Sequence, residues 1–127
     1  MEQYRRKERT SVVAVQLDLE TDGFAYQKWG GTQRCKPGDW LVDNQGDVYT
    51  IDRETFARTY RRVTSGIYEK TGHVWAERAD RAGTIQTKEG STGYGAGDYL
   101  VFNDPDRKDG YAMNEKTFHS LYEPCEK

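Results

Sequence analysis

The sequence predicts an α+β fold, mainly antiparallel β with two short helices, built as a tandem pseudo-twofold repeat of a β-β-hairpin-helix unit. Three observations lead there. Pro37-Gly38-Asp39-Trp40-Leu41-Val42, Tyr49, Thr55-Phe56 and Tyr60 return in order as Ala96-Gly97-Asp98-Tyr99-Leu100-Val101, Tyr111, Thr117-Phe118 and Tyr122. Nine Tyr, three Trp and four Phe favour sheets, because rings pack well on a pleated surface. Short β-branched or aromatic runs alternate with Gly, Asp and Asn clusters of the kind that make turns.

Taken in order, Ser11 to Leu19 reads as the first strand, with Val13, Val15, Leu17 and Leu19 on one face. Thr21-Asp22-Gly23 turns the chain, and Phe24 to Trp29 alternates again, placing Phe24, Tyr26 or their neighbours against the core until Gly30-Gly31 ends the strand. Pro37 presets a turn, Gly38 supplies a backbone conformation that a Cβ opposes, and the Asp39 carboxylate can accept a nearby backbone N–H. A hairpin follows from Trp40 to Ile51 through the turn-forming Asp43 to Asp47. Asp52 suits an N-cap, and Arg53 to Tyr60 forms a helix too short to stand alone, held on the hairpin by Phe56 and Tyr60.

The second unit repeats this plan. A strand is expected around Val74 to Glu77, a turn from Asp80 to Gly83, and a strand around Thr84 to Gln86. The Gly97-Asp98 turn then leads into a hairpin with the longer loop Asn103 to Gly110, and Asn114 caps a helix carrying Phe118 and Tyr122. Residues 1–127 are read as one domain with repeats at about 4–63 and 68–124, and the groove between repeats is the natural place for a ligand.

Charge excludes a strong long-range field. The formal net charge is −2, with 11 basic against 10 acidic residues up to Val63 and 8 against 11 beyond it. The longest apolar stretch is Val12 to Val15, too short for a secretory signal or a membrane span, so no membrane association and a cytoplasmic location are expected. Cys35 and Cys125 read as two free thiols rather than a disulfide framework.

Pro37 to Val42, the hairpin, and Thr55 to Tyr60, preceded by Tyr4-Arg5-Arg6-Lys7 and Val12 to Gln16, resemble the small bacterial and phage proteins named for a PGDYG motif. The resemblance spans residues 4–63 and, more weakly, 74–124, although no Gly follows the aromatic Trp40. It implies a fold unit and no catalytic residue.

Signatures of chemistry are sparse. Neither GxxxxGK[ST] nor GxGxxG occurs, and the Gly90 to Gly97 cluster precedes a strand, not a helix that could receive a phosphate. His73, His119, Cys35 and Cys125 lack metal-ligand spacing, and the calcium-loop positions at Asp104, Asp106 and Glu115 are spoiled by Lys108 and Asp109. No metal and no cofactor are expected. Asp39 and Asp98, related by the repeat, are either turn formers or a pair of acids. The reading is a non-enzymatic binding or adaptor module holding a small molecule or protein segment, with Tyr26, Lys28, Trp29, Asp39 and Asp98 as ligand-binding candidates. The alternative is an RNA or single-stranded DNA binder using Arg58, Arg61 and Arg62 with the basic N-terminal group Arg5, Arg6, Lys7 and Arg9, and with Tyr4, Tyr26, Trp29 and Tyr60 as stacking partners; a second alternative is a small hydrolase using the paired Asp residues. The sequence identifies no ligand, partner or oligomeric state.

Overall fold

The computed structural model describes residues 1–7, 10–18, 20 and 22–125. Strands β1 (Glu2–Arg6), β2 (Ser11–Gln16), β3 (Phe24–Lys28), β4 (Gly31–Cys35), β5 (Trp40–Asn44) and β6 (Asp47–Ile51) lead to helix α1 (Arg53–Thr59). Strands β7 (Tyr60–Thr64), β8 (Ile67–Lys70), β9 (His73–Arg78), β10 (Gly83–Gln86), β11 (Ser91–Tyr94), β12 (Tyr99–Phe102) and β13 (Gly110–Met113) follow, then α2 (Glu115–Leu121) and β14 (Tyr122–Pro124). The architecture is therefore mainly antiparallel β with two short helices. One five-stranded sheet has the order β6-β5-β2-β8-β7 and the other β13-β12-β9-β1-β14, while β3-β4 and β10-β11 are two-stranded ribbons.

Each helix links the two edge strands of one five-stranded sheet and buries a phenylalanine on it. Asp52 caps α1 by accepting the Thr55 N–H at 3.2 Å, and Asn114 caps α2 by accepting the Thr117 N–H at 2.7 Å. Phe56 packs with Val12, Ala14 and Val42, its ring stacked 4.1 Å from Trp40 and 4.6 Å from Tyr60. Phe118 packs with Tyr4, Val74, Ala76, Val101 and Tyr122, its ring stacked 4.1 Å from Tyr99. Burial of such rings contributes about 2–3 kcal/mol each, which a two-turn helix cannot supply from its own hydrogen bonds.

The strand read in the sequence as the first, Ser11 to Leu19, is the second, β2, ends at Gln16, and buries the face opposite to the one its alternation suggested. Val12 and Ala14 are 2% and 6% exposed, whereas Val13 and Val15 are 55% and 54% exposed. The run is apolar on both faces, so alternation could not choose between them; the helix did, by seating Phe56 over Val12 and Ala14. Leu19 and Thr21 lie outside the described residues, as does Arg9 of the basic N-terminal group. In β3, Phe24 is 41% exposed rather than in the core, and Tyr26 is half-buried, its hydroxyl 2.7 Å from the Thr50 hydroxyl.

Several strands went unread in the sequence, and one placement stands out. Tyr4 of β1 stands opposite Val74 of β9 on one side and Pro124 of β14 on the other, so the first strand of the chain completes the sheet of its last strands. The corresponding place in the other sheet is filled by β8, between β2 and β7. The ribbons pack against each other through buried Gln33, whose side-chain amide donates to the Lys28 and Ser91 carbonyls at 3.0 and 2.5 Å. A Cβ on Gly31 would stand 2.3 Å from the Ser91 carbonyl oxygen, so the two backbones meet where only glycine fits.

The repeated turns differ in how deeply they are set. Gly38 has φ 89°, and the Asp39 carboxylate, 1% exposed, accepts the Lys36 N–H at 2.8 Å and the Arg53 N–H at 3.0 Å, tying the turn to the start of α1. Asp98 is half-buried and accepts the Gly95 N–H at 2.9 Å. Asp39→Ala should therefore lower the unfolding free energy by about 3 kcal/mol, since the buried carboxylate is the acceptor for two backbone N–H groups, and Asp98→Ala by about 1 kcal/mol. Urea unfolding midpoints with unchanged m-values check the ranking.

Candidate functional site

A cavity of about 220 Å³ opens between the two cores, bounded by residues of both five-stranded sheets and both helices. Its most distinctive walls are Tyr49, Tyr60, Tyr111 and Tyr122, with the cations Arg6 and Lys70. Register explains how the cations arrive. Arg6 of β1 stands opposite Tyr122 of β14, and Lys70 of β8 stands opposite Tyr60 of β7, so each ladder presents a cation beside a phenol.

The contacts then cross from one sheet to the other. The Lys70 ammonium donates to the Tyr111 hydroxyl at 2.9 Å and lies 4.9 Å from that ring's centre, and 5.9 Å from the rings of Tyr60 and Tyr122. The Tyr111 and Tyr122 hydroxyls are 2.7 Å apart. Arg6 places its guanidinium 5.5 Å from the Tyr122 ring centre and donates from Nε to the Thr10 hydroxyl at 3.1 Å. Its buried Nη2 has no hydrogen-bond acceptor among the described residues, and neither Arg6 nor Lys70 has a carboxylate within ion-pair distance there.

Electrostatics follow from this crowding. Burial pushes the phenols of Tyr49 and Tyr111 well above the ordinary tyrosine range. Burial acts the same way on Tyr122, but Lys70, Arg6 and the hydrogen bond with Tyr111 outweigh it and draw that phenol below the ordinary range. The cavity's carboxylates are engaged elsewhere: Asp47 with Lys28 at 2.9 Å, and Asp109 with Arg58 at 2.9 Å. Asn44 and Asn103, also on the wall, each keep a buried side-chain oxygen without a donor among the described residues.

Of the residues singled out in sequence, Trp29 lines the cavity, with its ring 5.5 Å from Tyr49. Tyr26 reaches only the lining Thr50, and Lys28 lies over Trp29 while paired to Asp47. Among the described residues no hydrogen bond joins Asp39 to Asp98, and neither lines the tyrosine-walled cavity. Asp39 is enclosed in its own turn, whereas Asp98 borders a shallow depression with Arg78 and Glu115. Arg58 pairs with Asp104 and Asp109, and Arg61 with Glu69, which neutralises two of the three candidate phosphate contacts on α1 and β7. Arg62 is exposed. Cys35 is buried and Cys125 half-buried, both as free thiols.

Sequence reasoning missed Lys70 as a site residue and offered Arg6 only as a phosphate contact of the nucleic-acid alternative. The only signal was indirect: both sit two residues after a tyrosine on strands, Tyr4 and Tyr68, that pack against the two phenylalanine cores. No protein-family model, curated protein or solved structure matches the chain, so the site is read from its own geometry. No helix among the described residues is long and apolar enough to cross a membrane.

Glu89, at the cavity margin, joins the ribbons to α1 by accepting the Asp52 N–H at 2.9 Å. Burial pushes its carboxyl up to about 7, against the bond from Asp52 and the nearby Lys36, which favour the charged form. A raised carboxyl keeps its proton in the folded state after the unfolded chain has released it near 4.5, so its contribution is full below that value and declines as pH rises to about 7. Glu89→Gln should therefore be more stable than the parent by on the order of 2 kcal/mol at about pH 8 and equal to it at about pH 4, as read by thermal melts at both pH values.

Proposed function

We propose that this protein is a small-molecule binding module whose ligand occupies the tyrosine-lined cavity between two copies of one structural unit. One observation carries this reading: a concave, half-buried site gathers three of the four buried side-chain polar atoms that lack a partner among the described residues, on Arg6, Asn44 and Asn103, the fourth being Gln33 Oε1 between the ribbons. An engineered cavity of about 150 Å³ takes a benzene. The 220 Å³ here is thus roughly the size of a single ring bearing a small polar group.

Strand pairing supports the duplication. The sheet orders β6-β5-β2-β8-β7 and β13-β12-β9-β1-β14 correspond element by element about their helices. Registers agree as well: Ala14 faces Val42 as Ala76 faces Val101, and Val42 faces Tyr49 as Val101 faces Tyr111. By this correspondence Tyr49 and Tyr111, Tyr60 and Tyr122, and Lys70 and Arg6 are related pairs, all on the cavity wall. The units are then residues 11–70 and residues 73–125 completed by 2–6, offset from the division at 63 that the sequence suggested.

Two experiments test this reading. A fragment library screened by thermal shift should yield single-ring ligands that raise the melting temperature and change Trp29 fluorescence. Ala112→Phe, which fills the cavity from β13, should abolish both responses while keeping the circular dichroism of the parent. A library that produces no such ligand removes the binding reading. The offset duplication predicts that a circular permutant, opened between residues 8 and 9 with residues 127 and 1 joined by a short linker, folds as the parent does. The Cys125 N–H already donates to the Gln3 carbonyl at 3.1 Å, so the joined ends would take the place that a tight turn holds between β7 and β8. A permutant with no cooperative melt removes the duplication.

A further inference from the structure

We propose that the cavity is an anion site: its ligand carries a carboxylate or phosphate group that is received by Arg6 Nη2 and Lys70 Nζ. This rests on the binding-module reading above and adds to it the chemical class of the ligand.

The basis is an imbalance of charge in one place. Arg6 and Lys70 come within 5.5 and 5.9 Å of the same Tyr122 ring centre, and both line the same half-buried cavity. Like charges held together away from bulk water destabilise the fold unless an opposite charge is near. The carboxylates that line the same cavity do not serve. Asp47 is held by Lys28 and Asp109 by Arg58, while Glu89 is directed at the Asp52 N–H.

Donor geometry points the same way. Arg6 spends Nε on Thr10 and leaves Nη2 buried without an acceptor, and Lys70 spends one N–H on Tyr111. Two residues with donors remaining suit an oxyanion, because such bonds are charge-assisted and about twice as strong as neutral ones. The phenol of Tyr122, drawn below its ordinary range despite burial, registers the same positive potential. The surrounding rings and the cavity's volume restrict the rest of the ligand to a flat group of about one ring's size.

Isothermal titration of the full chain with benzoate, phenyl phosphate, benzamide and benzylamine tests the assignment. Benzoate or phenyl phosphate should bind, and benzamide and benzylamine should bind at least roughly tenfold more weakly. Whichever of the two anions binds more tightly identifies carboxylate or phosphate as the natural group, and either result supports the site. Arg6→Gln and Lys70→Gln should each weaken the anion by roughly tenfold or more and leave benzamide unchanged. Benzamide or benzylamine binding as tightly as benzoate overturns the anion assignment and leaves the cavity as a ligand site. A complete absence of binding by all four probes and by the fragment library overturns the underlying reading instead. If a variant fails to fold, the parent alone decides. Saturating benzoate should shift the tyrosine ionisation seen by ultraviolet difference absorbance to higher pH, and an unmoved titration counts against the anion.

Discussion

The backbone ladder of β1 between β9 and β14 is the constraint on which the second half of the molecule depends. Among the described residues β14 has no other strand partner, so β1 supplies the backbone hydrogen bonds that hold it in the sheet. The same strand carries Tyr4, whose ring meets Phe118 edge-on at 4.8 Å and closes one side of that core. Two residues further on, the alternation of the strand returns to the same face, and Arg6 lies on the cavity wall beside Tyr122. Fold and candidate site therefore share one short ladder. That ladder joins residues more than a hundred positions apart, so closing it costs loop entropy that the Tyr4–Phe118 packing and the hydrogen bonds must offset.

The two cores are small, and what joins them is polar. Val12, Ala14, Val42 and Phe56 form one cluster, while Tyr4, Val74, Val101 and Phe118 belong to the other. Across the junction run Gln33 with Ser91, Glu89 with the Asp52 N–H, the Thr55 hydroxyl with Asp109, Arg58 with Asp109 and Lys70 with Tyr111. An apolar seam would have collapsed to native packing density. A seam built from directional bonds of fixed length can leave space between them, and the cavity lies there.

Legibility in the sequence followed physical cause. The hairpins, both caps and the buried Phe56 and Phe118 could be read because turn chemistry, N-cap chemistry and helical spacing are local. Strands β1, β7 and β8, with sequences EQYRR, YRRVT and IYEK, could not, because each mixes charges and rings and shows no clean alternation. Their identity as strands comes from the partners they meet. The site was obscured for the same reason. Arg61 and Arg62 attract notice as a basic pair, yet Arg61 pairs with Glu69 and Arg62 is exposed. Arg6 and Lys70, which have no ion-pair partner among the described residues, are told apart from the other cations only by strand register: Arg6 is one of several basic residues at the start of the sequence, and Lys70 has no basic neighbour.

The direction of the hydrogen bonds gives the cavity its polarity. Lys70 has only donors, so the Tyr111 oxygen accepts from it, and the Tyr111 hydroxyl is left to donate toward Tyr122. Tyr122 ends that chain and also lies against Arg6, which makes its oxygen the point where negative charge is best tolerated. The split between the two phenols has this cause: Tyr111 is held in its protonated, donating form, whereas Tyr122 is drawn toward the phenolate. Ring faces contribute about 0.5–2 kcal/mol per cation, less than the several kcal/mol that burial of an unpaired charge costs. The tyrosines thus make two half-buried cations tolerable without neutralising them, and the potential that remains acts on whatever group enters beside Tyr122.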